Sequence, residues 1–177
     1  MKRLLLILFF LSQNFNLISV MASPSACSAP LRDNRFPAVL SDTLPELNRF
    51  IIAFVDSKMN QKVGRGECWD LAAKALDTAG AKWDGKFGFG RKLSPGEEIL
   101  PGDIIQFKRA KIKYVENNSL YTRVLKQHTG IIYSMKGKKQ FDMANQNTEE
   151  HGRKVSLTYI DFDKIKSGKY FIYRPER

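Results

Sequence analysis

Few side chains in this sequence combine the type and the surroundings that nucleophilic chemistry needs. Cys68 opens the stretch "CWDLAAKAL" directly after "VGRGE", so a glycine-rich turn runs into a segment with helical patterning. At a helix N-terminus the unpaired N–H groups and the positive end of the macrodipole favour a thiolate, and a nearby histidinium lowers the thiol pKa further. Gly64 and Gly66 permit close backbone approach, so a substrate carbonyl can reach the N–H of Cys68 as part of an oxyanion hole. A base has to come from one of two histidines. His151 sits in "TEEHGRK", a charged and solvent-facing turn, whereas His128 opens the apolar strand "HTGIIYS" and is the better candidate. One cysteine with one histidine is weak by itself, since either residue alone is more often structural than catalytic.

The elements that must position these residues can be read from periodicity. Thr43 and Glu46 have capping-box spacing around Pro45, and Leu47, Phe50, Ile51, Phe54 and Val55 form an apolar stripe, which predicts a helix over residues 44–59. "NQKVGRGE" supplies a turn. Cys68, Leu71, Ala72, Ala75, Leu76 and Ala79 fall on one face of a second helix over 67–79, ended by Gly80, with Cys68 in the first turn facing inward. After a Pro-Gly loop, "IIQFK", "LYTRVLKQ", "HTGIIYS", "KQFDMANQN" and "YFIYR" are strand candidates. "RAKIKYVENN" joins the first to the second, and "MKGKK" turns a hairpin. Two helices followed by about five antiparallel strands make an α+β domain. Strand alternation puts Asn145 and Asn147 on one face and Gln146 on the other.

The 177 residues, 43% of them hydrophobic and 11% aromatic, suffice for one domain with a core that needs no disulfide. Ahead of it, Lys2 and Arg3 precede an apolar run from Leu4 to Leu11, too short to span a bilayer, which reads as a secretory signal peptide over 1–22. Residues 23–41 are a Pro- and Ser-rich leader, and the domain occupies 42–177. The expected location is therefore outside the cytoplasm, periplasmic or secreted, with no transmembrane span in the mature chain. Loss of Lys2 and Arg3 takes the formal charge from +11 to +9, still basic enough to suit an anionic surface. No cluster of cations interleaved with stacking aromatics points to nucleic acid. Two cysteines and two histidines lack zinc-site spacing, and no cofactor is expected. Asp103 in "PGDII" reads as structural, Trp69 and Trp83 as aromatic core, and Asn117 to Ser119 as a formal glycosylation sequon.

Taken together, the cysteine after "GRGE", the "LPGDIIQF" turn and strand, the histidine strand 60 residues on and the polar "NQN" ending the next strand resemble the papain-like cell-wall hydrolases of NlpC type and their CHAP amidase relatives, from about residue 60 to 147. The resemblance implies Cys68 as nucleophile, His128 as base and a third residue within "ANQN", with Asn147 the first choice and Asn145 the second. Gln61 is the tentative oxyanion-hole donor. The papain signature is only partly met, since of its motif only Gly66, Cys68 and Trp69 agree. The implied function is an exported cysteine hydrolase that cuts an amide in a peptide, peptidoglycan above all. The alternatives are a catalytically silent binding or inhibitory domain on the same fold, and a small secreted structural protein with a Cys27–Cys68 disulfide.

Overall fold

Two helices and a six-stranded sheet build the domain in the computed structural model, which describes residues 43–116 and 118–177. The expected signal peptide and leader, Cys27 and Asn117 lie outside the described residues. Helix α1 spans Glu46–Lys58 and α2 spans Cys68–Ala79. The strands are β1 (Arg91–Lys92), β2 (Ile104–Glu116), β3 (Ser119–Gly137), β4 (Gln140–Asn145), β5 (Ser156–Asp161) and β6 (Ile165–Arg174), in the antiparallel order β1-β6-β2-β3-β4-β5.

The helices begin differently from the sequence reading. Pro45 is the N-cap of α1 and provides no side-chain bond, so the Thr43/Glu46 capping box is not what starts the helix. Its buried face also includes Asn48 and Ile52, while Phe50 is turned to solvent at 51% exposure. The rotation follows from Asn48, whose amide is drawn inward to Pro101 O at 2.8 Å and Asp103 Oδ1 at 2.9 Å. In α2, Asp70 accepts from the N–H groups of Glu67 (3.2 Å) and Arg65 (2.7 Å), which satisfies two donors ahead of Cys68. Gly80 ends the helix in the left-handed conformation, φ 66°.

Both faces of the sheet are buried. Ile51, Ile52 and Val55 of α1 and Leu71, Ala72, Ala75 and Leu76 of α2 pack on one face against Ile104, Ile131, Tyr133 and Ala144. The opposite face carries a second core of Ile105, Phe107, Ile132, Phe141, Met143, Ile160 and Ile172, to which five strands contribute. Strands β5 and β6 are joined only by a 3-10 turn at Phe162–Lys164, and Phe162 stacks on Tyr170 at 4.4 Å. Trp69, Trp83, Phe89 and Tyr173 form an aromatic cluster on the helix side, as expected for the two tryptophans.

Candidate active site

Cys68 is the first residue of α2 and half-buried, with a free thiol. Its Sγ lies 4.0 Å from the carbonyl oxygen of Gln127, and the Thr129 N–H also faces the sulfur. The thiol thus rests on the β3 backbone to either side of His128. That contact is possible because β4 stops at Asn145 and first pairs with β3 at Ala144↔Ile131, which leaves the β3 edge open from Thr129 downward. His128 pairs across β2 with Phe107, so its ring rises from the face carrying the second core, buried to 8% exposure.

On that face Nε2 of His128 lies 2.9 Å from Asn145 Oδ1. The amide of Asn145 is oriented by its own donors, with Nδ2 reaching Met143 O at 3.1 Å, Ser156 O at 3.3 Å and Thr158 Oγ1 at 3.0 Å. An amide oxygen cannot donate, so the proton sits on Nε2 and the lone pair is left on Nδ1, the ring nitrogen free to take a proton.

The residue the sequence ranked first, Asn147, is elsewhere. Its Nδ2 donates to Glu67 Oε2 at 2.8 Å, and it lies at φ 61°, outside β4. Alternation cannot carry a side chain past the end of the strand, which is why Asn145 and Asn147 do not share a face. Gln61, the tentative oxyanion donor, is exposed, and its Nε2 bonds back to Ser57 O at the end of α1 at 3.1 Å. The N–H groups that converge on the sulfur belong to Thr129, Trp69 and Cys68 itself. His151 is exposed in its turn, as predicted.

Gln146 was not singled out by sequence and holds the site together. Fully buried, it accepts from Val63 N at 3.1 Å and donates to Val63 O at 3.0 Å and Glu67 O at 2.7 Å, clamping the turn before Cys68 to the end of β4. No local signal exposes a bond to residues about 80 positions away. Gly66 completes the turn at φ 88°, where a Cβ would meet Arg153 Cβ at 2.7 Å.

A free cysteine at a helix start, against a strand whose histidine bonds a buried asparagine, is the arrangement of a cysteine proteinase fold. Residues 38–177 match the family described as the AIM3/BBC1 cysteine proteinase-fold domain. The chain belongs to that family. Over 168 residues it is 30% identical to Altered inheritance of mitochondria protein 3 of Debaryomyces hansenii, an overlap covering 80% of this chain and 17% of that protein. It is also similar at 15% identity to two crystal structures, of Ly7917 (TM-score 0.44, 71% of this chain and 62% of that one) and of Ly7917 with the hydrolyzing product of MDP (TM-score 0.46, 72% and 62%).

The electrostatics of this AIM3/BBC1 domain differ from those its helix position predicts. Burial pushes the Cys68 thiol above its ordinary pKa and the Glu67 carboxylate adds to the rise, while the N–H groups of Thr129, Trp69 and Cys68 pull it down without prevailing. Burial likewise holds His128 below the ordinary imidazole range, aided by Arg123 and opposed by the Asn145 bond. The resting pair at neutral pH is thiol and neutral imidazole. Fast alkylation at pH 6, which the helix position alone predicts, is replaced by a different expectation. Iodoacetamide should modify native Cys68 at pH 6 no faster than a denatured control, and faster as pH rises. Glu67→Gln should move that profile to lower pH, because one of the charges that raise the thiol is gone. An unmoved profile would show that Glu67 is not felt at the sulfur.

The depressed His128 also links stability to pH. Its folded pKa lies below the unfolded value of about 6.5, so the unfolded chain takes up this proton first as pH falls. The contribution is whole above that value and is lost on the way down to the folded pKa. The melting temperature should drop on acidification from neutral pH through this window, and drop less in His128→Gln. Parallel curves for the two proteins would exclude the linkage.

Proposed function

We propose that this domain is a cysteine hydrolase that cleaves an amide bond in a peptide, with Cys68 as nucleophile, His128 as base and Asn145 as the residue that orients the base. The observation that carries the reading is the buried bond between His128 Nε2 and Asn145 Oδ1, which fixes the tautomer that leaves Nδ1 able to accept a proton. In the reaction the thiol proton passes to Nδ1 and sulfur bonds to the carbonyl carbon. The C–N bond then breaks as the departing amine takes that proton, and water hydrolyses the thioester. Backbone N–H groups at the start of α2 are suited to the oxyanion.

The NlpC- and CHAP-type branch of the fold, the cell-wall substrate and export belong to the same proposal. They rest on the 60-residue spacing of Cys68 and His128, on the basic charge and on residues 1–22. A silent binding domain on this fold is the second reading, and the raised thiol favours it. Incubating the purified chain with peptidoglycan and with a panel of unrelated peptides, followed by mass spectrometry of the soluble products, separates them. Fragments with a new terminus at one bond type support hydrolysis and name the bond. Retention on the wall with no product from any peptide supports the silent domain.

A further inference from the structure

Strands β2 and β3 run on past the rest of the sheet. Strand β6 leaves β2 at Ile112↔Ile165, and β4 first pairs with β3 near Ile131, so the rungs from Lys113↔Thr122 to Glu116↔Ser119 form a two-stranded arm. Isolated ribbons of this kind gain little from their own packing. With the rung of Val124 at its base, this one nevertheless exposes Val115 (70%), Leu120 (66%), Val124 (52%) and Tyr121 (43%), which none of the described residues covers.

The residues are ordered along the arm. Val115 and Leu120 face each other one rung from its end, and Tyr114 and Tyr121 stack at 5.5 Å on the next, with Arg123 5.3 Å over the Tyr114 ring. Exposed cations lie behind them, Lys113 and Lys111 on the same face as Val115, then Lys108, Arg109 and Lys126. At about 3.3 Å per residue, Lys113 and Lys111 sit roughly 7 and 13 Å from Val115 along the strand. Residues 108–126 contain one acidic side chain, Glu116, in their sequence.

We propose that this arm docks the domain on an anionic lipid surface. The outermost rung, Glu116↔Ser119, is polar. Val115, Leu120 and Val124, however, share one face of the arm with Lys111 and Lys113, so an arm lying along a bilayer sets apolar groups at the acyl boundary and cations among the headgroups. Size decides against a protein partner, since a stable protein interface buries upwards of about 1,000 Å² and two rungs of small apolar side chains supply only a fraction of that. Shallow insertion needs few apolar groups, because each cation adds its own attraction to acidic headgroups. The proposal does not depend on whether Cys68 is catalytic.

The test is co-sedimentation of the full chain with vesicles of phosphatidylcholine alone and with added phosphatidylserine. The parent should partition to the anionic vesicles, and more weakly as salt rises. Val115→Glu with Leu120→Glu should lose that excess. Lys111→Ala with Lys113→Ala should weaken it about thirtyfold. Any affinity of the apolar run at residues 4–11 is common to all three proteins, so the differences report the arm. These side chains are exposed, so melting temperatures should be unchanged, and the lysine variant decides if the glutamate variant melts early. Equal partitioning of parent and lysine variant, or no preference for phosphatidylserine, overturns the proposal. Self-association by light scattering, abolished by the glutamates in a chain that ignores vesicles, overturns it in favour of a second copy.

Discussion

Cys68→Ala and His128→Ala are each expected to lower kcat/KM on a cleaved peptide by about 10⁴-fold or more; the melting temperature should stay near the parent's for Cys68→Ala and fall for His128→Ala, which leaves the buried Asn145 Oδ1 without its donor. The size follows from the unit character of such sites, in which loss of nucleophile or base alone costs nearly as much as loss of both. Asn145→Ala should cost less, about 10²-fold, because Asn145 acts on the base through its bond to His128 Nε2 and takes part in no bond-making. Its loss should also change the pH profile, since the Asn145 bond supports the protonated ring that burial disfavours. Asn147→Ala is the internal control. Its amide contacts Glu67, not His128, so kcat/KM should stay within a few-fold of the parent. An Asn147 variant as impaired as Asn145→Ala would mean that the orienting residue has been misassigned.

The largest effect on stability is expected from Asp103, read from sequence as structural. Its side chain has no solvent exposure and accepts from Arg174 Nη2 at 2.8 Å, Arg174 Nε at 3.1 Å, Asn48 Nδ2 at 2.9 Å and Leu100 N at 2.9 Å. Three distant pieces of chain, α1, the turn before β2 and the end of β6, therefore meet on one carboxylate. Removing one member of a buried ion pair typically costs about 3–5 kcal/mol, because the surviving charge keeps its desolvation penalty. Asp103→Ala should lower the melting temperature by roughly 10 °C or more in thermal denaturation followed by circular dichroism. Arg174→Ala should do the same, and the double variant should cost less than the sum of the two singles. Additive losses would mean that carboxylate and guanidinium act separately.

How much of this was legible in the sequence depended on how cleanly burial followed period. The stripe of α2 was readable because Leu71, Ala72, Ala75 and Leu76 are all fully buried, so the helical repeat and the core coincide. Strand β5 was missed because its pattern is inverted: Ser156, Thr158 and Ile160 are buried while Leu157 and Tyr159 are exposed. An alternation that hides polar residues is invisible until their partner is known, and for Thr158 that partner is Asn145. The long strand β3 was read as two, "LYTRVLKQ" and "HTGIIYS", because burial changes abruptly at His128, where the arm joins the sheet. That Cys68 opens a helix and meets the strand of His128 was legible from residue type and spacing. The choice between Asn145 and Asn147 turned on where β4 ends, and the expectation of a depressed thiol pKa failed because helix position says nothing about burial.

The order in which the sheet is completed also has a consequence in time. Strands β3 to β5 each pair with the one before, but β6 pairs with β2, Tyr173 lying opposite Ile104 across 69 residues of chain. Synthesis delivers Cys68, His128 and Asn145 before it delivers β6. At about 5–20 residues per second, β2 waits several seconds for its partner. During that wait its edge from Ile104 to Ile112 is unpaired, and Ile105, Phe107 and Ile112 lack the cover of Ile172. The nascent chain is therefore most open to aggregation, and most in need of a chaperone, when its chemistry-bearing residues are already made.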